Sequence, residues 1–474
     1  MGWRLHAWLS VPLLAALAWS GEAHASQVRL DVGFSGEIVA DAWNPIRLTL
    51  RDQPDAELKI DIDQGGLRAG EQWLRYRAPV RGGSGLSVFE DDLYIPAWRT
   101  FNWSLETRDR VLASGSFDSR HVDGRGLALI VAERLGAWSE LFDDDTRVVD
   151  VGPHQLPERT AAYSAVDALL IDGTTAAPTE TAVLAAAVGG TVTVLIEPLP
   201  RGFEGLLELA GQPDRRYGSG WIVRSTGDDV VGIFDERSRI DARSLIEAVT
   251  TPDLTKTPRS LPTTSVALAL AAYIALTLPL VRFGRAPGLV TALAVAAVSG
   301  AAALTSLRPD EATMLQSRAV HLGSGGLAAV FELRTAVHLP KGELEIPGRG
   351  YPLDVAEYTQ GRHGLTIGLP RWSTAKVMMA PRASRAVLAW RQGALANRGD
   401  RSLSAVFVVG VGPQEDLPPG GTTAVGTGST NPVATPEFYE PLARLLPAGS
   451  AVARDGTRVH VALPETAAAA WRPQ

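Results

Sequence analysis

Near the start of the chain, hydrophobic and polar positions alternate residue by residue. VRLDVGF (28–34), IRLTLRD (46–52), LKIDID (58–63), WLRYRAPV (73–80), FNWSLET (101–107) and VLASGSF (111–117) all follow this pattern, with Gly, Pro and Asp between them. A period of two places successive side chains on opposite faces of a pleated strand. Short strands at this spacing, with no helical period, predict a β-sandwich over residues 26–120.

The pattern changes over 121–255. GLALIVAE (126–133), TRVVDV (146–151), AVDALLIDG (165–173) and TVTVLIE (191–197) are continuous apolar runs, separated by the helical stretches GAWSELFDDD (136–145) and TETAVLAAAVGG (179–190). Unbroken apolar strands alternating with helices predict parallel crossovers, and hence a Rossmann-like α/β domain. From 309 to 474 the strand pattern returns in AVFELRTAVHL (329–339), GELEI (342–346), HGLTIGL (363–369), AVLAW (386–390), LSAVFVVGVG (403–412) and RVHVAL (458–463). This predicts a C-terminal β-rich domain of sandwich or barrel type. A Gly/Pro/Thr-rich loop (412–436) interrupts it, followed by a short helix within 435–447 capped by Thr435.

Two apolar stretches lie between these regions. Residues 260–281 and 286–307 contain no charged side chain, and each is long enough to cross about 30 Å of hydrocarbon as a helix. The connector Arg282-Phe-Gly-Arg285 leaves room only for a tight turn. The expectation is a transmembrane hairpin over 262–307, with helices at 262–281 and 287–307. Ala267, Ala271 and Ala275 on one helix, and Ala292, Ala296 and Gly300 on the other, have the small-residue spacing that lets helices approach closely in lipid.

Residues 1–25 read as a signal peptide: Arg4, an apolar core from Trp8 to Trp19, and the small-x-small site Ala23-His24-Ala25. Export of the following region would leave both soluble regions outside the membrane and the turn arginines inside.

Composition narrows the function. The 474 residues carry a formal charge of −7, from 52 Asp+Glu against 45 Lys+Arg, which argues against a nucleic-acid partner. There is no cysteine, so thiolate metal sites, iron–sulfur clusters and cysteine nucleophiles are all excluded.

The order of these features resembles that of a group of bacterial membrane proteins with a class I glutamine amidotransferase-like domain. The matching residues are Trp43-Asn-Pro45, Leu156-Pro157, Val166-Asp-Ala-Leu-Leu-Ile171, Gly189-Gly190, Tyr273 and Pro279, within residues 27–310. The resemblance implies an amidotransferase-like α/β fold in a bacterial membrane protein; with the signal peptide and hairpin, the expectation is an inner-membrane anchor and soluble domains in the periplasm. Active amidotransferases carry a cysteine after a strand, with a histidine further on. Here Glu197-Pro-Leu-Pro200 follows the fourth strand, so the resemblance implies a catalytically degenerate domain.

Motif searches give no nucleophile elbow, phosphate loop or dinucleotide fingerprint. His121, His154, His321, His338, His363 and His460 are not at metal-ligand spacing, and lone histidines in strands read as structural residues. Asp143-Asp144-Asp145 and Glu90-Asp91-Asp92 read as solvated turns. Trp43, Trp73, Trp98 and Trp103 are the candidate binding residues: exposed, they would form a sugar-stacking platform; buried, they would be core.

The expected function is a non-catalytic envelope protein, integral to the membrane, that scaffolds or binds envelope or inner-membrane proteins, with no cofactor and no metal. The alternatives are a periplasmic hydrolase acting on a glycan or peptide, and a glycan-binding module using the tryptophans.

Overall fold

The computed structural model describes residues 28–236 and 315–464, together with 240, 244–246 and 248. Within those spans it leaves out 64–72, 118–125, 134–137, 139, 143–145, 175–176, 199–202, 204–205, 207–213, 228–229, 337–341, 354–356, 370–374, 392 and 426–439. The signal peptide (1–25), the hairpin (262–307), the acidic run 143–145 and Thr435 therefore lie outside the described residues. Among the described residues, no helix is long and apolar enough to cross a membrane.

The protein is a β-rich multidomain protein. Its first body is a sandwich. One sheet has three antiparallel strands, Val28–Val32, Ala42–Gln53 and Gly83–Ile95. Facing it is a seven-stranded sheet in the order Gly342–Pro347, Gly364–Leu369, Glu357–Gly361, Trp73–Val80, Ala56–Asp63, Thr100–Glu106, Val111–Phe117. The alternation is realised literally: Leu58, Ile60 and Ile62 are fully buried while the residues between them face outward. On that outer face Lys59 meets Glu106 at 2.6 Å and Arg77 meets Asp61 at 2.8 Å.

Three of these seven strands come from beyond residue 309. Glu357–Gly361 lies parallel to Trp73–Val80, with Tyr358 opposite Leu74. The segments 26–120 and 309–474, drawn separately from the sequence, thus share one sheet and one core, in which Tyr358, Leu365 and Ile367 join Leu58, Ile60 and Leu74. Periodicity identifies a strand and its buried face, but not its neighbour in a sheet.

The second body is a six-stranded sheet in the order Asp214–Tyr217, Gly220–Ser225, Val192–Ile196, Val166–Asp172, Gly126–Val131, Thr146–Asp150. All run parallel except Asp214–Tyr217 at the edge. Val192–Ile196 is buried at every position, as strands covered on both faces must be. Helix α1 (Glu180–Val188) packs into the core on one face, and helix α2 (Val230–Glu236) into the core on the other. The Thr179 hydroxyl accepts a hydrogen bond from Ala182 N at 3.2 Å and caps α1. Gly190, at φ +106°, ends the helical path.

The third body is a nine-stranded sheet in the order Gly350–Pro352, Ala375–Met379, Leu327–Ala336, Leu315–Ser324, Arg458–Ala462, Ala451–Asp455, Ser404–Val408, Gly412–Pro413. Arg382–Arg385 also pairs with Leu327–Ala336. A three-stranded sheet (Leu388–Arg391, Ala394–Asn397, Thr422–Ala424) completes it. One face shares a core with the six-stranded sheet, where Val320, Leu322, Leu333, Val459 and Val461 join Tyr163, Val188 and Ile222. The approach is close: a Cβ on Gly325 would stand 2.6 Å from Arg216 O, at a φ of +59° that itself favours glycine.

Candidate functional site

The three bodies meet around Asp91 and Asp92, in the middle of Gly83–Ile95. That strand escapes the hydrophobic pattern because three acidic residues interrupt it. The reading of Glu90-Asp91-Asp92 as a solvated turn is corrected: Asp91 is 0% and Asp92 1% exposed, and only Glu90 faces solvent. Buried carboxylates persist only when paired, and here each partner comes from a different part of the chain. Tyr76, from the seven-stranded sheet, donates to Asp91 at 2.5 Å. Arg159, just before the 3-10 turn Thr160–Ala165, donates through Nε to Asp92 at 2.8 Å and through Nη1 to Glu90 O at 3.2 Å. Arg349, next to Gly350–Pro352, pairs with both Asp91 and Asp92.

The electrostatics follow from this burial. Burial is the largest influence on Asp92 and pushes its carboxyl up to about 6; Arg159 and Arg349 pull it down, and the neighbouring Asp91 raises it. Burial and the adjacent Asp91 raise the Tyr76 hydroxyl well above its ordinary range, so it remains a donor. Burial opposes the charge on Arg159, but Asp92, Asp91 and Glu90 outweigh it and hold the guanidinium above its ordinary value.

A cleft of about 410 Å³ opens beside this cluster, where the 3-10 turn of the second body faces the edge of the nine-stranded sheet. Four guanidiniums line it, from Arg159, Arg334, Arg349 and Arg382. A second cavity of about 210 Å³ lies between the sandwich and the second body, and Arg159 contributes to its wall as well.

The four tryptophans do not form a platform. Trp43 is 3% exposed and packs edge-on against Tyr94 and Tyr351, which stack at 3.5 Å. Its backbone N–H donates to Ser164 Oγ at 3.1 Å, which makes the Trp-Asn-Pro segment a seam between sandwich and second body. Asn44 is also buried, and bonds the backbone of Val39 and Ala42. Trp98 is 4% exposed and lies edge-on to Phe101. Trp73 and Trp103 are half-buried, on the two strands of the seven-stranded sheet that flank Ala56–Asp63. The cores claim two of the four rings, Trp43 and Trp98.

At the carboxyl ends of the parallel strands, Asp172 accepts from Thr174 N and Oγ1 and from Trp138 Nε1, and Glu197 is paired with Arg224. Among the described residues, no group of three or more metal-ligating side chains is assembled.

The lone-histidine reading missed one juxtaposition. His321 and His460 sit opposite each other on parallel strands, with ring centroids 4.7 Å apart. Burial lowers both to about 4. His460, Arg458 and Arg382 add to the effect on His321 against Glu332, and Arg458 adds to it on His460. Contacts of this kind, like the Asp91–Arg349 pair, leave no local signal in a sequence.

No protein-family model matches the chain, and no curated protein matches it.

Proposed function

We propose that this chain is a non-catalytic binding or scaffold component of a cell envelope, anchored at the inner membrane by the hairpin 262–307 with its folded bodies on the periplasmic side. The observation that carries this reading is the parallel pairing of Glu357–Gly361 with Trp73–Val80. Two flanks that share one sheet and one core must fold in the same compartment. The charge-free stretches 260–281 and 286–307 stand between those flanks, and a pair of crossings returns the chain to the side it left. A hairpin satisfies that condition.

The strand order of the second body supports a Rossmann-like domain. Its central strands are Val166–Asp172 and Val192–Ile196, with helices packed on opposite faces. The position after Val192–Ile196 carries Glu197, paired with Arg224, in a chain without cysteine. This is consistent with an amidotransferase-like fold whose role is contact rather than chemistry.

The absence of cysteine makes the test direct. Single cysteines are introduced at exposed Arg108, at exposed Ser402 and in the turn at Gly284, and intact spheroplasts are treated with a membrane-impermeant maleimide. Labelling at 108 and 402, with 284 reactive only after permeabilisation, is expected. Opposite behaviour of 108 and 402, or labelling of 284 from outside, would overturn the reading.

A further inference from the structure

The cleft beside Asp92 has features that an internal ion-pair network does not need. An arginine carries five N–H donors in a planar fork. In Arg159, the bonds to Asp92 and Glu90 O leave donors unused; in Arg334, the bonds to Glu332 and Pro347 O do the same. Arg382 is freer still: it is 69% exposed, and its nearest carboxylate oxygen, on Glu332, lies 3.7 Å away. Three anchored forks and one loosely paired one therefore line a single opening, together with the carboxylates of Asp92, Glu158 and Glu332.

Anchoring matters energetically. A guanidinium already fixed by a buried carboxylate loses little further conformational freedom when it binds a ligand. Met379, Ala380 and Pro381 add apolar lining to the cleft, and its volume falls in the range that holds a small ligand. Planar forks lining such a cleft match the oxygens of a carboxylate or a phosphate.

We propose that this cleft binds the oxyanionic group, carboxylate or phosphate, of a small ligand or of a ligand's terminus, with Arg382 and Arg334 making the direct contacts and Asp91 and Asp92 holding Arg349 and Arg159 in place. This deepens the reading of a binding component and names the chemistry of its ligand. Arg382 stands at the rim and would close on the ligand from the solvent side.

The test is calorimetric titration of the full chain, purified in detergent, with inorganic phosphate, with N-acetylglycylglycine, and with the amide of that dipeptide. Saturable binding of phosphate or of the free carboxylate is expected, and the amide should bind about tenfold more weakly than the acid or not at all. Phosphate binding alone points to a phosphorylated ligand, and carboxylate binding alone to a carboxylate terminus; binding of both defines a general oxyanion site. Arg382→Ala should weaken binding about tenfold. Arg382→Lys should recover part of the loss, and Arg385→Ala, an exposed change outside the cleft, should leave binding unchanged. Failure of both oxyanions to bind at ~10 mM, equal binding of acid and amide, or unchanged affinity in both Arg382→Ala and Arg334→Gln would overturn the proposal. The titration does not depend on membrane topology, so its failure and that of the labelling experiment are separable.

Discussion

Tyr358 lies opposite Leu74 in a parallel ladder, and both side chains are buried in the sandwich core. This pair joins the chain that precedes the apolar stretches to the chain that follows them. Its strand, Glu357–Gly361, is internal to its sheet, with Gly364–Leu369 on its other side. A proline at this place removes a ladder donor in a position with no solvent to compensate. Thr359→Pro is therefore expected to cost about 3 kcal/mol or more. Limited proteolysis should then separate the two halves of the protein, while Thr359→Val should stay within about 0.5 kcal/mol of the parent. Thermal melts of both variants, followed by gel analysis of the proteolysed samples, check this.

One residue further along, Gln360 is opposite Tyr76 in the same ladder and is 0% exposed. Neither its amide nitrogen nor its amide oxygen has a hydrogen-bond partner among the described residues. A buried amide without partners costs about 1–3 kcal/mol, and methionine has a similar length and fills irregular space. Gln360→Met is expected to raise the melting temperature. A fall would show that the amide is satisfied by a buried water.

Arg349 holds two buried carboxylates at once. Removing one partner of a buried ion pair leaves charge stranded in a low-dielectric site, typically at about 3–5 kcal/mol. Arg349→Ala should show a loss of that order. Asp91→Asn in the same background should recover part of it, because one stranded charge then disappears. A double-mutant cycle by chemical denaturation measures the coupling, and a coupling near zero would assign the cluster no role in joining the bodies.

Much of the fold was legible because its strands obey simple burial rules. LKIDID shows its inward face through Leu58, Ile60 and Ile62, and the apolar runs at 126, 166 and 192 are buried on both faces as their composition requires. The strand Gly83–Ile95 was not legible, since Glu90, Asp91 and Asp92 break its alternation. The burial of Asp91 and Asp92 depends on Arg159 and Arg349, which arrive from other bodies. The sharing of a sheet between residues 73–80 and 357–361 was hidden for the same reason: partner choice is a tertiary property. For the tryptophans residue type left core and surface both open, and Trp43 and Trp98 supply core.

The pH response of the fold turns on two opposing burials. His321 and His460 titrate at about 4 in the folded protein, against an ordinary value of 6.5. Between those limits the unfolded chain holds protons that the folded rings lack, so stability falls as pH drops through this window. The slope is at most about 1.4 kcal/mol per pH unit for each ring. Asp92 works in the other direction. Its folded carboxyl titrates at about 6 against an ordinary 3.8, so the folded state holds the extra proton and gains stability as pH falls across that interval. Two rings against one carboxyl leave net acid destabilisation from these groups. His460→Leu should flatten the dependence of melting temperature on pH between about 6 and about 4, and Asp92→Asn should steepen it. Melts of the three proteins at about pH 7, 5.5 and 4.5 decide the matter: parallel curves would mean that neither the ring pair nor Asp92 couples protonation to folding.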